Sequence, residues 1–139
     1  MYILKTRHDF DSSHFLANYD GKCANIHGHR WEVEVEVASE TLINEGEQKG
    51  MVVDFGDLKK YLRAMLEEFD HALIIEKNSM RDLTLQCLIE DGFKVIEVEF
   101  RPTAENFAKY FYERMCTEGF EMYQVTVFET PINAATYRK

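Results

Sequence analysis

Hydrophobic and polar residues alternate along several stretches of the chain and fall into a helical period in two others. Over 2–15 one parity holds Tyr2, Leu4, Phe10 and His14, and the other holds Lys5, Arg7, Asp9 and Asp11. A period of two with one apolar face predicts a half-buried strand. Residues 17–28 carry Asn18, Asp20, Gly21, Asn25 and Gly28, the composition of a loop. Over 29–38 the alternation is cleaner, with Trp31, Val33, Val35 and Val37 on one face and Glu32, Glu34 and Glu36 on the other. A second strand is expected there, paired antiparallel with the first. A polar, glycine-containing stretch and a short extended run at 51–55 follow. Leu58, Tyr61, Leu62, Met65, Leu66 and Phe69 then recur at helical spacing and predict an amphipathic helix near 57–69, capped by Asp54 or Asp57.

The second half is less regular. Residues 83–91 are expected to form a short helix stopped by Gly92, and 94–100 an additional strand. Pro102 and Thr103 open another helix, with Thr103 as its cap and Glu105 in its first turn. Ala104, Phe107, Ala108, Phe111 and Met115 form its buried stripe, and Gly119 ends it. A strand at 123–129, a turn at Pro131 and a strand at 134–138 complete the pattern. Helices between two strand pairs imply an α+β fold on an antiparallel sheet. At 139 residues, one domain over 1–139 is expected, long enough to bury its own core.

Composition removes several classes of function. No apolar run approaches the roughly 20 residues of a membrane span, and the opening MYILKTRHDFDSS lacks the apolar stretch of a signal peptide. A cytoplasmic location without a membrane partner is therefore expected. The net charge of −9 argues against nucleic acid, whose phosphates need a basic face. The glutamates of 32–47 read as a solubilising surface. Cys23, Cys87 and Cys116 are an odd number in a chain without a secretion signal, so no disulfide framework is expected. Cys87 and Cys116 read as small buried hydrophobes.

The histidines supply candidate chemistry. His27 and His29 have one residue between them, so an extended backbone puts both imidazoles on one face. His14 ends the first strand on the parity of Phe10. Antiparallel pairing through the 17–28 loop brings all three together. Three neutral nitrogens suit Zn2+ and leave a fourth position open, the pattern of a catalytic zinc. The H-x-H spacing alone is a weak signal that surface histidines also produce. Cys23 lies four residues before His27. A nearby cation would lower its pKa and make the thiolate a base; as a fourth ligand it would instead close the site and make it structural. Spacing leaves both open. His8 reads as structural, and Asp54 as a cap.

Beyond this chemistry, the segment Cys23-Ala-Asn-Ile-His27-Gly-His29 resembles the C-x-x-x-H-G-H signature of bacterial members of the 6-pyruvoyl-tetrahydropterin synthase family that form 6-carboxytetrahydropterin. Five further segments resemble the family's motifs in order: Phe10 to His14 (with Ser12 and Ser13 in place of two alanines), Gly50 to Lys59, Phe69-Asp70-His71, Pro102 to Asn106, and Phe128-Glu129-Thr130. Together they cover most of the chain.

The resemblance implies the tunnelling fold: a four-stranded antiparallel sheet in ββααββ order, two helices on one face, and here a small insert near 78–101. It implies subunits joined edge to edge into barrels, stacked as a hexamer (a dimer of trimers), with active sites at subunit interfaces. It makes His14, His27 and His29 zinc ligands, Cys23 the general base, and Asp70 with His71 a second proton-handling group. Glu129 becomes the anchor of the pterin's guanidine-like edge and part of the catalytic relay. Thr103 and Glu105 become pterin-pocket contacts, a role that helix capping alone equally explains. The implied substrate is 7,8-dihydroneopterin triphosphate. Three residues separate Cys23 from His27, which favours the carboxy-forming branch that feeds queuosine synthesis; a pyruvoyl-type or aldolase-like enzyme is the sister reading. A zinc-stabilised pterin-binding protein, its site closed by one cysteine and three histidines, is a third, opposed by the joint presence of Asp70, His71 and Glu129. Arg81, Lys94 and Arg101 of the insert either meet the triphosphate or decorate the rim.

Overall fold

The alternation at the start of the chain produces a long hairpin. In the computed structural model, which describes residues 1–139, β1 (Tyr2–His14) and β2 (His27–Ser39) pair antiparallel in unbroken register from Tyr2 opposite Ser39 to His14 opposite His27. The second strand thus starts two residues earlier than the loop composition suggested. Two further antiparallel strands follow on its outer side, β5 (Met122–Thr130) against β2 and β6 (Asn133–Tyr137) against β5.

The expected four-stranded antiparallel sheet is incomplete. β3 (Ala72–Glu76) joins β1 in parallel through Ser12 opposite Ala72 and Ser13 opposite Leu73, and β4 (Val95–Val98) joins β3 in parallel. The sheet is six-stranded and mixed, in the order β4-β3-β1-β2-β5-β6. The segment Ala-Leu-Ile-Ile-Glu of β3 has no alternation to betray it, because Ala72, Ile74 and Ile75 are all buried and a strand covered on both faces reads as a continuous apolar run. Parallel neighbours need a crossover, and the short helix α2 (Asp82–Glu90) supplies it. The 78–101 segment is therefore not a rim insert but the second half of a β-α-β unit, and the helices number three rather than two.

The helices α1 (Phe55–Glu67) and α3 (Ala104–Thr117) build the core on one face of the sheet. Asp54 accepts from the backbone N–H of Gly56 at 2.6 Å and Thr103 from that of Asn106 at 3.3 Å, so both expected caps form. Gly119 ends α3 at φ +89°, where glycine has no steric penalty. Leu58, Leu62 and Leu66 of α1 and Phe107, Phe111 and Met115 of α3 pack on Phe10, Trp31, Val33 and Val35. Each such side chain contributes roughly 1.5–3 kcal/mol by leaving water. Phe10 sits edge-on to both Phe107 and Phe111, at ring separations of 6.3 and 6.1 Å.

On the helix-free face the glutamates of β2 are not the solvated surface expected. Glu34 and Glu36 are only 7% and 8% exposed. β2 is an inner strand, and long polar side chains of β1 and β5 lie over it. Arg7 spans Glu32 and Glu34 at 2.8 Å each, and Gln124 donates to Glu36 at 2.9 Å. A carboxylate withdrawn from water needs such partners. Cys87 and Cys116 also depart from expectation, since both are exposed.

Candidate active site

The register of β1 and β2 alone brings His14 beside His27, with His29 one pleat further along. One ring nitrogen from each of the three lies within 4.8 Å of the others. His14 is 2% exposed, walled by Trp31 with ring centres 5.0 Å apart and edge-on rings. Its Nδ1 donates to the carbonyl of Pro102 at 2.7 Å, and Nδ1 of His27 donates to the carbonyl of Asn25 at 2.7 Å. A carbonyl can only accept, so both protons are fixed on Nδ1. The two Nε2 atoms then face each other as lone pairs at 3.1 Å. Nε2 of His29 is buried without a hydrogen bond and stands 3.3 Å from Oε1 of Glu129. Facing lone pairs and an orphaned buried nitrogen are stabilised by a cation between them, and carbonyl-held Nδ1 atoms are the usual outer partners of metal-bound histidines. Burial pushes His14 and His29 below the ordinary imidazole range, which keeps them neutral and able to ligate. Cys23 is not part of this cluster, so the chain does not form the closed arrangement of one cysteine and three histidines. Cys23 sits half-buried in a single 3-10 turn, Lys22–Ala24, and its carbonyl accepts from Leu16 N–H at 2.9 Å to close the base of the loop.

Two clefts flank the cluster and share Gly28 and His29. The first, of about 610 Å³, is lined by Ser12, Ser13, His29, His71, Leu88 and Lys94 among others. The second, of about 560 Å³, is lined by Arg7, Arg30, Glu32, Phe128, Glu129 and Pro131 among others. A Cβ on Gly28 would stand 3.4 Å from the carbonyl of Ser12, so a side chain there would crowd β1.

Asp70 and His71 form a tight turn at the mouth of the first cleft. Nδ1 of His71 donates to Oδ2 of Asp70 at 2.7 Å, while the backbone N–H of Asp11 donates to Oδ1 at 2.9 Å. The Asp11 bond, then the His71 bond, lowers the Asp70 carboxyl despite some burial, and Asp70 in turn raises His71. Asp11 was not singled out by its sequence; it acts through its backbone, which leaves no side-chain signature. Glu129 opens onto the second cleft. Thr103 and Glu105 line neither cleft: Thr103 caps α3 and Glu105 occupies its exposed first turn. Cys23 also lines neither. Of the cations in 78–101, Arg101 donates to the carbonyl of Ala17 at 2.7 Å and lies 5.8 Å from the ring centre of Tyr19, pinning the Cys23 loop.

Fold and site together define an α+β protein with an open three-histidine, metal-holding site at one end of a mixed sheet. The sequence model of 6-pyruvoyl tetrahydropterin synthase matches residues 3–139, and the chain belongs to that family. It is 32% identical to the 6-carboxy-5,6,7,8-tetrahydropterin synthase of Haemophilus influenzae over 142 residues, spanning 100% of both chains. It is 36% identical to the Aquifex aeolicus protein of the same name over 85% of this chain and 76% of that one. Among solved structures, 6-pyruvoyl tetrahydropterin synthase of Caenorhabditis elegans superposes with a TM-score of 0.70 at 27% identity over 99% of this chain and 95% of that one. An uncharacterized protein of Wolinella succinogenes gives a TM-score of 0.81 at 22% identity over 99% and 98% of the chains, a likeness of fold. No helix is long and apolar enough to cross a membrane.

Proposed function

We propose that the chain is a zinc-dependent 6-carboxytetrahydropterin synthase, a carbon–carbon lyase of queuosine synthesis. The observation that carries this reading is the three-imidazole cluster lying between two clefts, one holding Asp70 and His71 and the other Glu129. Full-length similarity to relatives of that name supports it. His14, His27 and His29 hold the zinc, which supplies Lewis-acid polarisation of substrate hydroxyls and a template for them. Glu129 accepts two parallel N–H bonds from the guanidine-like edge of the pterin. The Cys23 thiolate takes the proton beside the polarised hydroxyl, and His71, oriented by Asp70, exchanges the second proton. From 7,8-dihydroneopterin triphosphate and water the products are 6-carboxy-5,6,7,8-tetrahydropterin, acetaldehyde and triphosphate.

Cys23, Thr103 and Glu105 line neither cleft of their own chain, which suits a site completed across a subunit interface. The unpaired edges β4 and β6 suit the same assembly, a homohexamer built as a dimer of trimers. The protein acts in the cytoplasm, with no nucleic-acid or membrane partner.

The experiment is incubation of the metal-quantified protein with 7,8-dihydroneopterin triphosphate, with products read by mass spectrometry. Acetaldehyde with the 6-carboxy product is expected. A pyruvoyl product would move the protein to the sister branch represented by the Caenorhabditis elegans structure, and no turnover with zinc fully bound would overturn the enzyme reading.

A further inference from the structure

Lys94 closes the turn between α2 and β4 and reaches across to the Asp70–His71 pair. Its ammonium donates to the carbonyls of Glu67 at 3.2 Å and Asp70 at 2.9 Å, and its own carbonyl accepts the N–H of Leu73 at 2.9 Å. These contacts bracket His71, one gripping the peptide before it and the other the strand just after it. The conformation they grip is one the chain would not hold unaided. His71 has φ 54°, in the left-handed region that residues with a Cβ avoid. α1 has no basic residue in its last turn, so Lys94 brings from a distant segment the cation that open helix carbonyls attract. On the other side, the carbonyl of Asp11 accepts His71 N–H at 2.6 Å and its N–H donates to Asp70.

We propose that Lys94 is a positioning residue for proton transfer at His71: it ties the carbonyl of Asp70 and the N–H of Leu73 and so fixes where the imidazole stands at the first cleft. The inference rests on the reading of His71 as a proton-handling group. Two of the three ammonium N–H groups already bind carbonyls, which leaves Lys94 poorly furnished for the alternative, a ligand of the triphosphate. The charged groups acting on the pair are Asp11 from β1, Glu67 from α1 and Lys94 itself.

Lys94→Met keeps the apolar stem and removes the ammonium; Lys94→Arg keeps charge and donors. In the zinc-loaded enzyme, Lys94→Met is expected to lower kcat on the order of tenfold by misplacing the imidazole, with KM changed by less than about twofold because no substrate contact is lost. Lys94→Arg is expected to recover most of kcat. A second readout needs no turnover and separates failure of this inference from failure of the functional reading. Long-range proton–nitrogen correlation spectra of the His71 ring are expected to show the Nδ1–H tautomer in the parent protein and in Lys94→Arg. In Lys94→Met they are expected to move toward the solvent mixture of tautomers. A raised KM with unchanged kcat would make Lys94 a substrate ligand and overturn the proposal, as would a His71 spectrum unchanged in Lys94→Met.

Discussion

The proton on a histidine ring is decided by what its other nitrogen meets, and two of the clustered imidazoles meet backbone carbonyls through Nδ1. Their Nε2 atoms are thereby committed to a ligand. His27→Ala is accordingly expected to lose both bound metal and activity by metal analysis and assay, since two imidazoles bind a divalent ion far less well than three. Cys23→Ala is expected to keep its metal while turnover falls on the order of 10²–10⁴-fold, the usual worth of a general base; loss of zinc in that variant would make the thiol a ligand instead. At Asp70 and His71 the signs of the shifts run in opposite directions. Asp70 is lowered, so its contribution to stability is present above the unfolded carboxyl value and lost as pH falls through the folded one. His71 is raised, so its contribution is full below the unfolded imidazole value and lost as pH rises through the folded one. The charged pair therefore persists between Asp70's lowered value and His71's raised one. Asp70→Asn is expected to return His71 toward the ordinary imidazole value in an NMR titration, and an unmoved His71 would show that the pair is not coupled.

At the scale of elements, what the sequence made legible was whatever had a period or a cap. The alternation from Trp31 to Val37 and the stripe from Phe107 to Met115 gave β2 and α3, and Thr103 gave the start of α3. Thr103→Ala is expected to cost about 1 kcal/mol in denaturant unfolding through the lost bond to Asn106. β3 was illegible because burial on both faces erases alternation, and α2 buries no residue, so its weak stripe had no core to point to. The convergence of the three histidines was legible because it needs only hairpin register. The grip on His71 was not: it runs through the backbone of Asp11 and a lysine 24 residues from Asp70, and neither leaves a local pattern. The burial of Glu34 and Glu36 was hidden for a related reason, since their cover comes from the neighbouring strands β1 and β5.

At the scale of the whole molecule, the six-stranded sheet ends in two unpaired strands, β4 and β6, which invite pairing with further chains. Sedimentation is expected to show an assembly well above the 16.4 kDa of one chain; a fully active monomer would sink the interface reading. The hairpin that carries the histidines also sets an order of events. His14 and His27 face each other across its closed end, so they become neighbours as soon as the connection between them closes, an event of roughly 10–100 ns for a loop of about ten residues. The nascent chain holds all three imidazoles once residue 29 has been made, long before α3 exists. His14 is oriented by the carbonyl of Pro102, however, which arrives 88 residues later. Metal capture is therefore an early event in the life of the chain, and the exact aim of its ligands a late one.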